Sequence, residues 1–278
     1  MVEHNKMNQQ MQFPLFGKKI EIGFQDIDSS LIELYRDDII EEAYRLQKIF
    51  NLFDEQSELS ILNKQRIAKV SPELLEVLET ALKFCSLSEN YDISKGYNFL
   101  AFKKKINYKE ISCSYKDILL DGNTVTLTHK DVIIDLGSIA KGYIVDKLEE
   151  FIFSLGFENF YLDARGDIKM HEFKTIIEIA PPREESEKLE FEIETGGIAT
   201  SGDYKQYNNN FEDNHLLGKN KFSSVTVINE SLMIADAIAT AILLNKNNFI
   251  NKIKSFFPTS KIIIFDKKGT AIHNDLEI

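Results

Sequence analysis

Several features are scarce in this 278-residue chain, and each scarcity excludes a class of protein. Only two cysteines occur, Cys85 and Cys113, and they show neither metal-ligand spacing nor a cluster with histidine, so we expect no zinc site. Positive charge is in deficit, with 33 lysine and arginine residues against 44 aspartate and glutamate residues, which gives a net charge of −11. This balance argues against nucleic acid or an anionic membrane as the main partner.

Long hydrophobic runs are also missing. No stretch reaches membrane-spanning length without a polar interruption, so we expect no transmembrane segment. The N-terminal residues contain no apolar run long enough for a secretory signal peptide. We therefore expect a cytoplasmic protein, with an exported or periplasmic location as the alternative if a signal peptide has been removed.

The order of predicted elements indicates an α+β fold of mixed or antiparallel sheets with packed helices. Apolar runs and turn signals predict strands, some joined as hairpins, at residues 19–24, 118–127, 132–134, 160–164, 168–170, 175–179, 189–194, 224–228 and 261–273. Apolar stripes predict five helices. The first covers residues 30–50, the second starts at residue 72, the third ends at Gly156, the fourth surrounds Asp236 and the fifth lies near 247–257. The mostly polar residues 90–110 are predicted as a loop.

Three helix ends have recognisable signals. Ser30 and Glu33 have the spacing of a capping box, which predicts a helix start at Ser30. Ser71 followed by proline predicts an N-cap with Pro72 in the first helical position. Gly156 is predicted to end the helix before it in the left-handed conformation.

The segment between Glu230 and Lys246 is apolar except for Asp236, its only charged residue. A helix this apolar is normally buried, and a buried unpaired carboxylate costs roughly several kcal/mol, so Asp236 needs a cation. Thr240 follows one turn later on the same face, beside small alanines. A carboxylate and a hydroxyl in this arrangement suit Mg²⁺. Pairing of Asp236 with a lysine, or capping of a neighbouring helix, is an equally open alternative.

A second segment, Asp135-Leu-Gly-Ser-Ile-Ala-Lys-Gly-Tyr-Ile-Val-Asp146, runs from a predicted strand into a predicted helix. Free N–H groups at such a junction can bind an anion. Lys141 precedes Gly142 instead of following it, so the segment is not a nucleoside-triphosphatase P-loop. A structural turn with a surface lysine is the alternative.

Two further segments, residues 161–167 and 199–204, would each be an ordinary turn if they occurred alone. Together with the 135–146 segment, Ser57-Glu-Leu-Ser-Ile-Leu-Asn63 and Ala235-Asp-Ala-Ile-Ala-Thr240, they resemble the FAD:protein FMN transferase (ApbE) family in order and wording. The resemblance implies one flavin transferase domain at residues 13–275 with an ApbE-like, T-fold-like architecture. Residues 1–12 would form a polar N-terminal tail.

The resemblance also implies an activity, the post-translational flavinylation of a partner. FMN would pass from FAD to a threonine or serine of an acceptor flavoprotein subunit of an electron-transfer complex, with release of AMP. Asp236 and Thr240 would hold Mg²⁺ together with the backbone carbonyl of Ser138. The implied FAD contacts are Phe16, Phe53, Ala101, Phe102, Lys103, Asp135, Lys141 and Leu217.

The resemblance implies two catalytic residues, Lys141 and His215. Lys141 would offset charge on the phosphates, and His215 would accept the proton of the acceptor hydroxyl, a task that suits an imidazole at neutral pH. The family's D-P-x-T-G sequence after this histidine is absent here. Two alternatives therefore stay open: hydrolysis of FAD to FMN and AMP, and FAD binding without catalysis. Phe53 and Arg165 also depart from the family, and Arg165 is either a phosphate ligand or a solvated turn residue.

Overall fold

Antiparallel strands organise the part of the chain that this computed structural model describes, namely residues 9–88, 90–104, 107, 110–179, 182–183, 188–202, 222–245 and 249–276. In chain order the strands are β1 (Gln9–Leu15), β2 (Lys18–Phe24), β3 (Ile67–Lys69), β4 (Ile118–Asp121), β5 (Thr124–Leu127), β6 (Phe160–Asp163), β7 (Ile168–His171), β8 (Thr175–Ile179), β9 (Leu189–Ile193), β10 (Gly196–Gly202), β11 (Phe222–Asn229), β12 (Lys261–Asp266) and β13 (Ala271–Asn274).

These strands form three sheets within the described residues. The largest has eight strands in the order β1-β2-β6-β7-β10-β11-β12-β13, and each neighbouring pair is antiparallel. A three-stranded sheet has the order β3-β5-β4, and β8 pairs with β9 as a separate hairpin. The predicted α+β class with antiparallel sheets is confirmed.

The described part also contains seven α-helices, some of which pack on one face of the large sheet. They are α1 (Ser29–Phe50), α2 (Glu58–Gln65), α3 (Pro72–Leu87), α4 (Gly96–Lys104), α5 (Ala140–Ser154), α6 (Leu232–Leu244) and α7 (Phe249–Phe256), with a 3₁₀ turn at Tyr115–Asp117. Among the described residues, no helix combines the length and the apolarity that crossing a membrane would require.

The two faces of the large sheet have different coverings because side chains alternate along a strand. Val225 and Val227 on β11 and Ala199 on β10 belong to the main core, which also contains the buried residues of α6. Ile198 on β10 points the other way and packs with Ile193 of the β8–β9 hairpin. Ser201 on β10 shares the face of Ala199, which is the face on which α6 packs.

Several predicted boundaries agree with the structure. Ser71 caps α3, and its side chain accepts a hydrogen bond from the backbone N–H of Leu74. Gly156 follows the C-cap of α5 with a φ of 93°, a left-handed conformation that glycine adopts without a steric penalty. The hairpin at residues 118–127 also forms, as β4 and β5.

Other predictions are wrong. The first helix begins at Ser29, and Asp28 is its N-cap, accepting from the Ser30 N–H, so no capping box forms at Ser30. The predicted loop at 90–110 contains α4. Residues 132–134 form one isolated parallel bridge, between Lys95 and Ile133, in place of a strand in a sheet.

Two further segments form strands where the sequence predicts a turn or a tail. Residues 199–202 belong to β10, where a turn had been the alternative reading of the segment. β1 begins at Gln9, so the large sheet includes four residues that the sequence assigns to the tail. The assignment of residues 13–275 to one domain stays a prediction.

Candidate active site

The side chains of Lys141 and Asp236 meet where α5 packs against α6. The Lys141 Nζ lies 3.8 Å from the Asp236 Oδ2. The same ammonium pairs with the carboxylate of Asp167, which lies in the turn between β6 and β7. Both carboxylates are buried, with each aspartate 5% exposed, so one lysine lies between two buried acids.

The N-terminus of α5 also faces Asp236. The helix starts after Ile139, whose apolar side chain cannot cap it. The Gly142 N–H donates to the Asp236 Oδ2 at 3.4 Å, so the carboxylate lies at the positive end of the helix. Burial raises the pKa of Asp236, while Lys141 and the Gly142 amide oppose that rise.

Gly142 permits this approach of the two helices. A Cβ at residue 142 would lie 2.5 Å from the carbonyl oxygen of Leu232, the first residue of α6. That distance is far below van der Waals contact, so a side chain here would push α6 away. The glycine of the 135–146 segment therefore serves helix packing.

Thr240 faces the sheet one turn beyond Asp236. Its hydroxyl is 2.9 Å from the hydroxyl of Ser201 on β10. The neighbouring Thr200 donates its backbone N–H to the Asp167 Oδ1 at 3.1 Å. β10 thus connects the threonine of the 235–240 segment with the acid that holds Lys141.

Ser138 lies two residues before α5. Its hydroxyl donates to the phenol oxygen of Tyr91 at 2.7 Å. Tyr91 is buried, and burial raises the pKa of its phenol, which is therefore neutral. Ser138 is therefore fixed beside the start of α5, by a partner that no pattern in the sequence indicates.

The donor set around Asp236 fits a hard cation. Asp236 supplies one buried carboxylate, and Thr240, whose hydroxyl contacts that of Ser201, follows one helical turn later; oxygen ligands of this kind suit Mg²⁺. The described part of the chain contains no group of three or more His, Cys, Asp or Glu side chains that could hold a metal ion. A site with one carboxylate, one hydroxyl and one backbone carbonyl contains fewer such side chains than that, so the finding does not exclude it.

Asp135 contacts both the segment that precedes α4 and the segment that leads into α5. Its backbone N–H donates to Ile93 at 2.9 Å, and its Oδ1 accepts from the Gly137 N–H at 2.9 Å. A Cβ at Gly96 would lie 2.8 Å from the Asp135 Cβ, so the first residue of α4 touches this acid. Desolvation raises the pKa of Asp135, against the effect of the Gly137 amide.

Asn63 supports this segment from α2. Its amide nitrogen donates to the Ile134 carbonyl at 3.0 Å, and its amide oxygen accepts from the Ile134 N–H at 2.7 Å. The side chain thus replaces a neighbouring strand immediately before Asp135. Asn63 ends the 57–63 segment, which was the available signal for this role.

The aromatic residues implied as flavin contacts lie in different parts of the fold. Phe53, which is 57% exposed, packs against Phe99 of α4 with a ring-centroid distance of 5.9 Å. α4 also carries Ala101, which is buried. Phe16 lies in the turn between β1 and β2 with a φ of 53°.

Other predicted site residues lie wholly or partly outside the described part of the chain. The backbone of α4 includes Phe102 and Lys103, but their side chains are outside it. His215 and Leu217 also lie outside the described residues. Their implied roles stay predictions.

Arg165 has a structural contact that the sequence did not indicate. It adopts a φ of 69° in the turn between β6 and β7, and its guanidinium donates to the Phe16 carbonyl at 3.3 Å. The Phe16 N–H donates to the Gln47 Oε1 at 2.6 Å. Both ends of the Phe16 backbone unit are therefore held by side chains from other elements.

Together, the fold and the contacts of Lys141 define an α+β protein with a charged, oxygen-lined site between two helices and an antiparallel sheet. Comparison with known families identifies the group within that class. The chain belongs to the ApbE family, whose model matches residues 16–255. The resemblance noted in the sequence is confirmed.

Individual relatives agree with this assignment. The FAD:protein FMN transferase of Vibrio cholerae serotype O1 is 27% identical over 252 residues, which cover 78% of this chain and 74% of the relative. Among solved structures, the ApbE protein from Thermotoga maritima has a TM-score of 0.80 at 23% identity and covers 97% of this chain and 98% of its own.

Two more solved structures show the same fold. The flavin transferase ApbE from Vibrio cholerae has a TM-score of 0.76 at 22% identity, with 95% of this chain and 96% of that chain covered. The apo form of the Pseudomonas stutzeri flavinyl transferase ApbE has a TM-score of 0.79 at 17% identity, with 99% and 97% covered. The predicted ApbE-like architecture is confirmed.

Proposed function

We propose that this protein is an FAD:protein FMN transferase that moves FMN from FAD to a threonine or serine of an acceptor flavoprotein and releases AMP. The observation that carries the proposal is the contact of Lys141 with Asp167 and Asp236 beside the N-terminus of α5. It brings an ammonium and the positive end of a helix to one place, which suits the two negative charges of a pyrophosphate.

The proposed reaction transfers one phosphoryl group. The acceptor oxygen attacks the phosphorus of the FMN half of FAD, and the bond from that phosphorus to the bridging oxygen breaks. The bridging oxygen leaves with AMP, and the proton of the acceptor hydroxyl passes to His215. Charge develops on the departing AMP, and stabilising it is the main task of the site.

Lys141 offsets part of that charge. Asp167 holds the ammonium from the sheet side and is itself fixed by the Thr200 N–H, so Lys141 needs little reorganisation when FAD binds. Asp236 and Thr240, with the Ser138 carbonyl, are the residues that would hold Mg²⁺. When bound, Mg²⁺ would add positive charge at the phosphate oxygens.

The aromatic residues bind the rest of FAD in this proposal. The exposed ring of Phe53 offers a stacking face for an isoalloxazine or adenine ring. Asn63 and the start of α4 keep Asp135 in position. The acceptor is expected to be a flavoprotein subunit of an electron-transfer complex.

The test is an assay with purified protein, FAD and Mg²⁺, with and without an acceptor domain. AMP is measured by chromatography, and the acceptor mass is measured by mass spectrometry. AMP release together with a gain of one FMN on the acceptor would establish the transferase. AMP and free FMN without acceptor would favour hydrolysis, and intact FAD under both conditions would indicate binding alone.

A further inference from the structure

Asp146, the last residue of the 135–146 segment, has no role in the proposed reaction but contacts the start of α6. Its carboxylate accepts from the Ser231 hydroxyl at 2.8 Å and from the backbone N–H groups of Leu232 and Met233, each at 2.9 Å. Ser231 is the N-cap of α6. One carboxylate from α5 therefore satisfies several donors at the N-terminus of α6.

Lys169 on β7 holds Asp146 in this place. The Lys169 Nζ lies 3.1 Å from the Asp146 Oδ1 and donates to the Glu230 carbonyl at 2.7 Å. The lysine is buried, so this pair is poorly screened by solvent. It connects α5, the large sheet and the residue that leads into α6.

Each of the two helices therefore places a carboxylate at the N-terminus of the other. Asp146 of α5 lies at the N-terminus of α6, and Asp236 of α6 lies at the N-terminus of α5, where it accepts from Gly142. A negative group at each positive helix end is favourable. These contacts join α5 and α6 at two points about one turn apart on each helix.

Close backbone contacts restrict α6 further. A Cβ at Gly142 would lie 2.5 Å from the Leu232 carbonyl oxygen, and a Cβ at Gly197 would lie 2.6 Å from the Leu232 Cα. Leu232 is thus enclosed by α5 on one side and β10 on the other. Asp146 supplies the polar contacts that fix the axial position of the helix within this space.

The axial position of α6 decides whether Asp236 can function. Sliding a helix by one residue moves its side chains by about 1.5 Å, whereas metal–ligand distances tolerate only about 0.2 Å. Lys141 and Asp146 lie on one helix, and Asp236 lies on the other. Whatever fixes the helices together also sets the separation of Lys141 from Asp236.

We propose that Asp146, held by Lys169, is a positioning residue for the site: it fixes α6 against α5 and so places Asp236 for the cation and for Lys141. The inference rests on the proposed function, because it takes Asp236 to be a metal ligand. Asp146 itself touches neither the substrate nor the metal.

The chain contains a matched control at the start of α3. Glu58 of α2 accepts from the backbone N–H of Ser71 and from its hydroxyl, the latter at 2.7 Å. Ser71 is the N-cap of α3, as Ser231 is the N-cap of α6. Glu58 and Asp146 thus perform the same local task, but the helix that Glu58 supports carries no proposed metal ligand.

The experiment compares Asp146→Asn with Glu58→Gln. Mn²⁺ is used as the probe, its affinity is measured by electron paramagnetic resonance at a temperature where both variants are folded, and thermal unfolding is recorded without metal. We expect both substitutions to lower the unfolding temperature. Only Asp146→Asn should weaken Mn²⁺ binding, by about tenfold, the low end for residues that orient metal ligands.

Lys169→Met provides a second, milder variant in case Asp146→Asn does not fold. It should weaken Mn²⁺ binding in the same direction, because Asp146 loses the ammonium that holds it. Mn²⁺ affinity equal to that of the wild type in the folded variants would overturn the positioning role alone. A wild-type protein without an Asp236-dependent Mn²⁺ site would overturn the metal assignment and this inference with it.

Discussion

The Lys141 ammonium lies 3.8 Å from a carboxylate oxygen of Asp236 although the two residues belong to different helices. The sequence left three partners open for Asp236, namely a metal ion, a lysine and the end of a neighbouring helix, and the structure contains the last two. With both carboxylates ionised, Lys141, Asp167 and Asp236 carry a charge of +1 − 1 − 1 = −1. The lysine alone does not neutralise the site, so a lysine partner and a metal ion are compatible there.

The first prediction concerns Asp236. Asp236→Asn keeps the size of the side chain but removes the charge, so we expect Mg²⁺-dependent AMP release to be lost and Mn²⁺ binding to disappear. Lys141 keeps Asp167 as a partner, so the folded structure should persist. The measurements are AMP chromatography and a Mn²⁺ titration, and unchanged AMP release would remove Asp236 from the metal site.

Sequence patterns predicted a cation beside Asp236 because the signal for it is local. A single acid in an otherwise apolar helix requires a cation wherever the helix is buried, and Thr240 follows from helical periodicity alone. Asp167 was missed as a site residue for the opposite reason. In the sequence it belongs to a glycine turn, and its role depends on the pairing of β7 with β10, which brings Thr200 to its carboxylate.

The wrong predictions around Asp135 have a similar cause. The apolar run before Asp135 looked like a strand, but Ile134 pairs with the side chain of Asn63, from far away in the chain. α4 was predicted as a loop because residues 90–110 are mostly polar. It is packed in place by contacts such as that between Phe53 and Phe99, which no local pattern reveals.

The second prediction concerns stability and pH at Asp135. The pKa of this half-buried acid is raised from its ordinary value of 3.8 by desolvation. The native state therefore keeps its proton at pH values where the unfolded state has lost it, so this group makes the protein less stable as pH rises through that window. Below the window the acid is protonated in both states and the penalty is absent.

Asp135→Asn should remove that penalty while its amide oxygen still accepts from Gly137. We expect the variant to gain stability over the wild type as pH rises above about 4, with a constant difference at lower pH. Urea unfolding of both proteins across a pH series measures this difference, in which all shared groups cancel. A stability gain that grows as pH falls would contradict the desolvation argument.

The third prediction concerns Gly142. Gly142→Ala raises helix propensity by about 1 kcal/mol, but its methyl group would lie 2.5 Å from the backbone of Leu232. Overpacking against a backbone costs about 1–3 kcal/mol, and relaxation would move α6 away from α5. We expect a net loss of stability in denaturant unfolding together with weaker Mn²⁺ binding.

Gly197→Ala tests the same contact from the sheet side, since its methyl group would lie 2.6 Å from the Leu232 Cα. It should behave like Gly142→Ala. If either alanine variant is as stable as the wild type and binds Mn²⁺ equally well, the close packing of Leu232 is not needed for the site.

The last prediction concerns the buried charges around Lys141. Lys141→Met leaves Asp167 and Asp236 without their cation, and breaking a buried ion pair in this way costs about 3–5 kcal/mol. Asp167→Asn should cost less stability, because Asp236 still pairs with Lys141 and the asparagine oxygen still accepts from the Thr200 N–H. The double variant removes one cation and one acid together, so it should be more stable than Lys141→Met alone.

A double-mutant cycle in denaturant unfolding measures this coupling, because contacting residues show interaction energies of about 0.5–3 kcal/mol. We expect a favourable coupling in that range between Lys141 and Asp167. The AMP assay on the same proteins separates stability from catalysis: the double variant should regain stability without regaining turnover, since the ammonium that offsets charge on the phosphates is absent. Additive losses of stability would show that the two groups do not interact, and turnover in the double variant would remove Lys141 from the reaction.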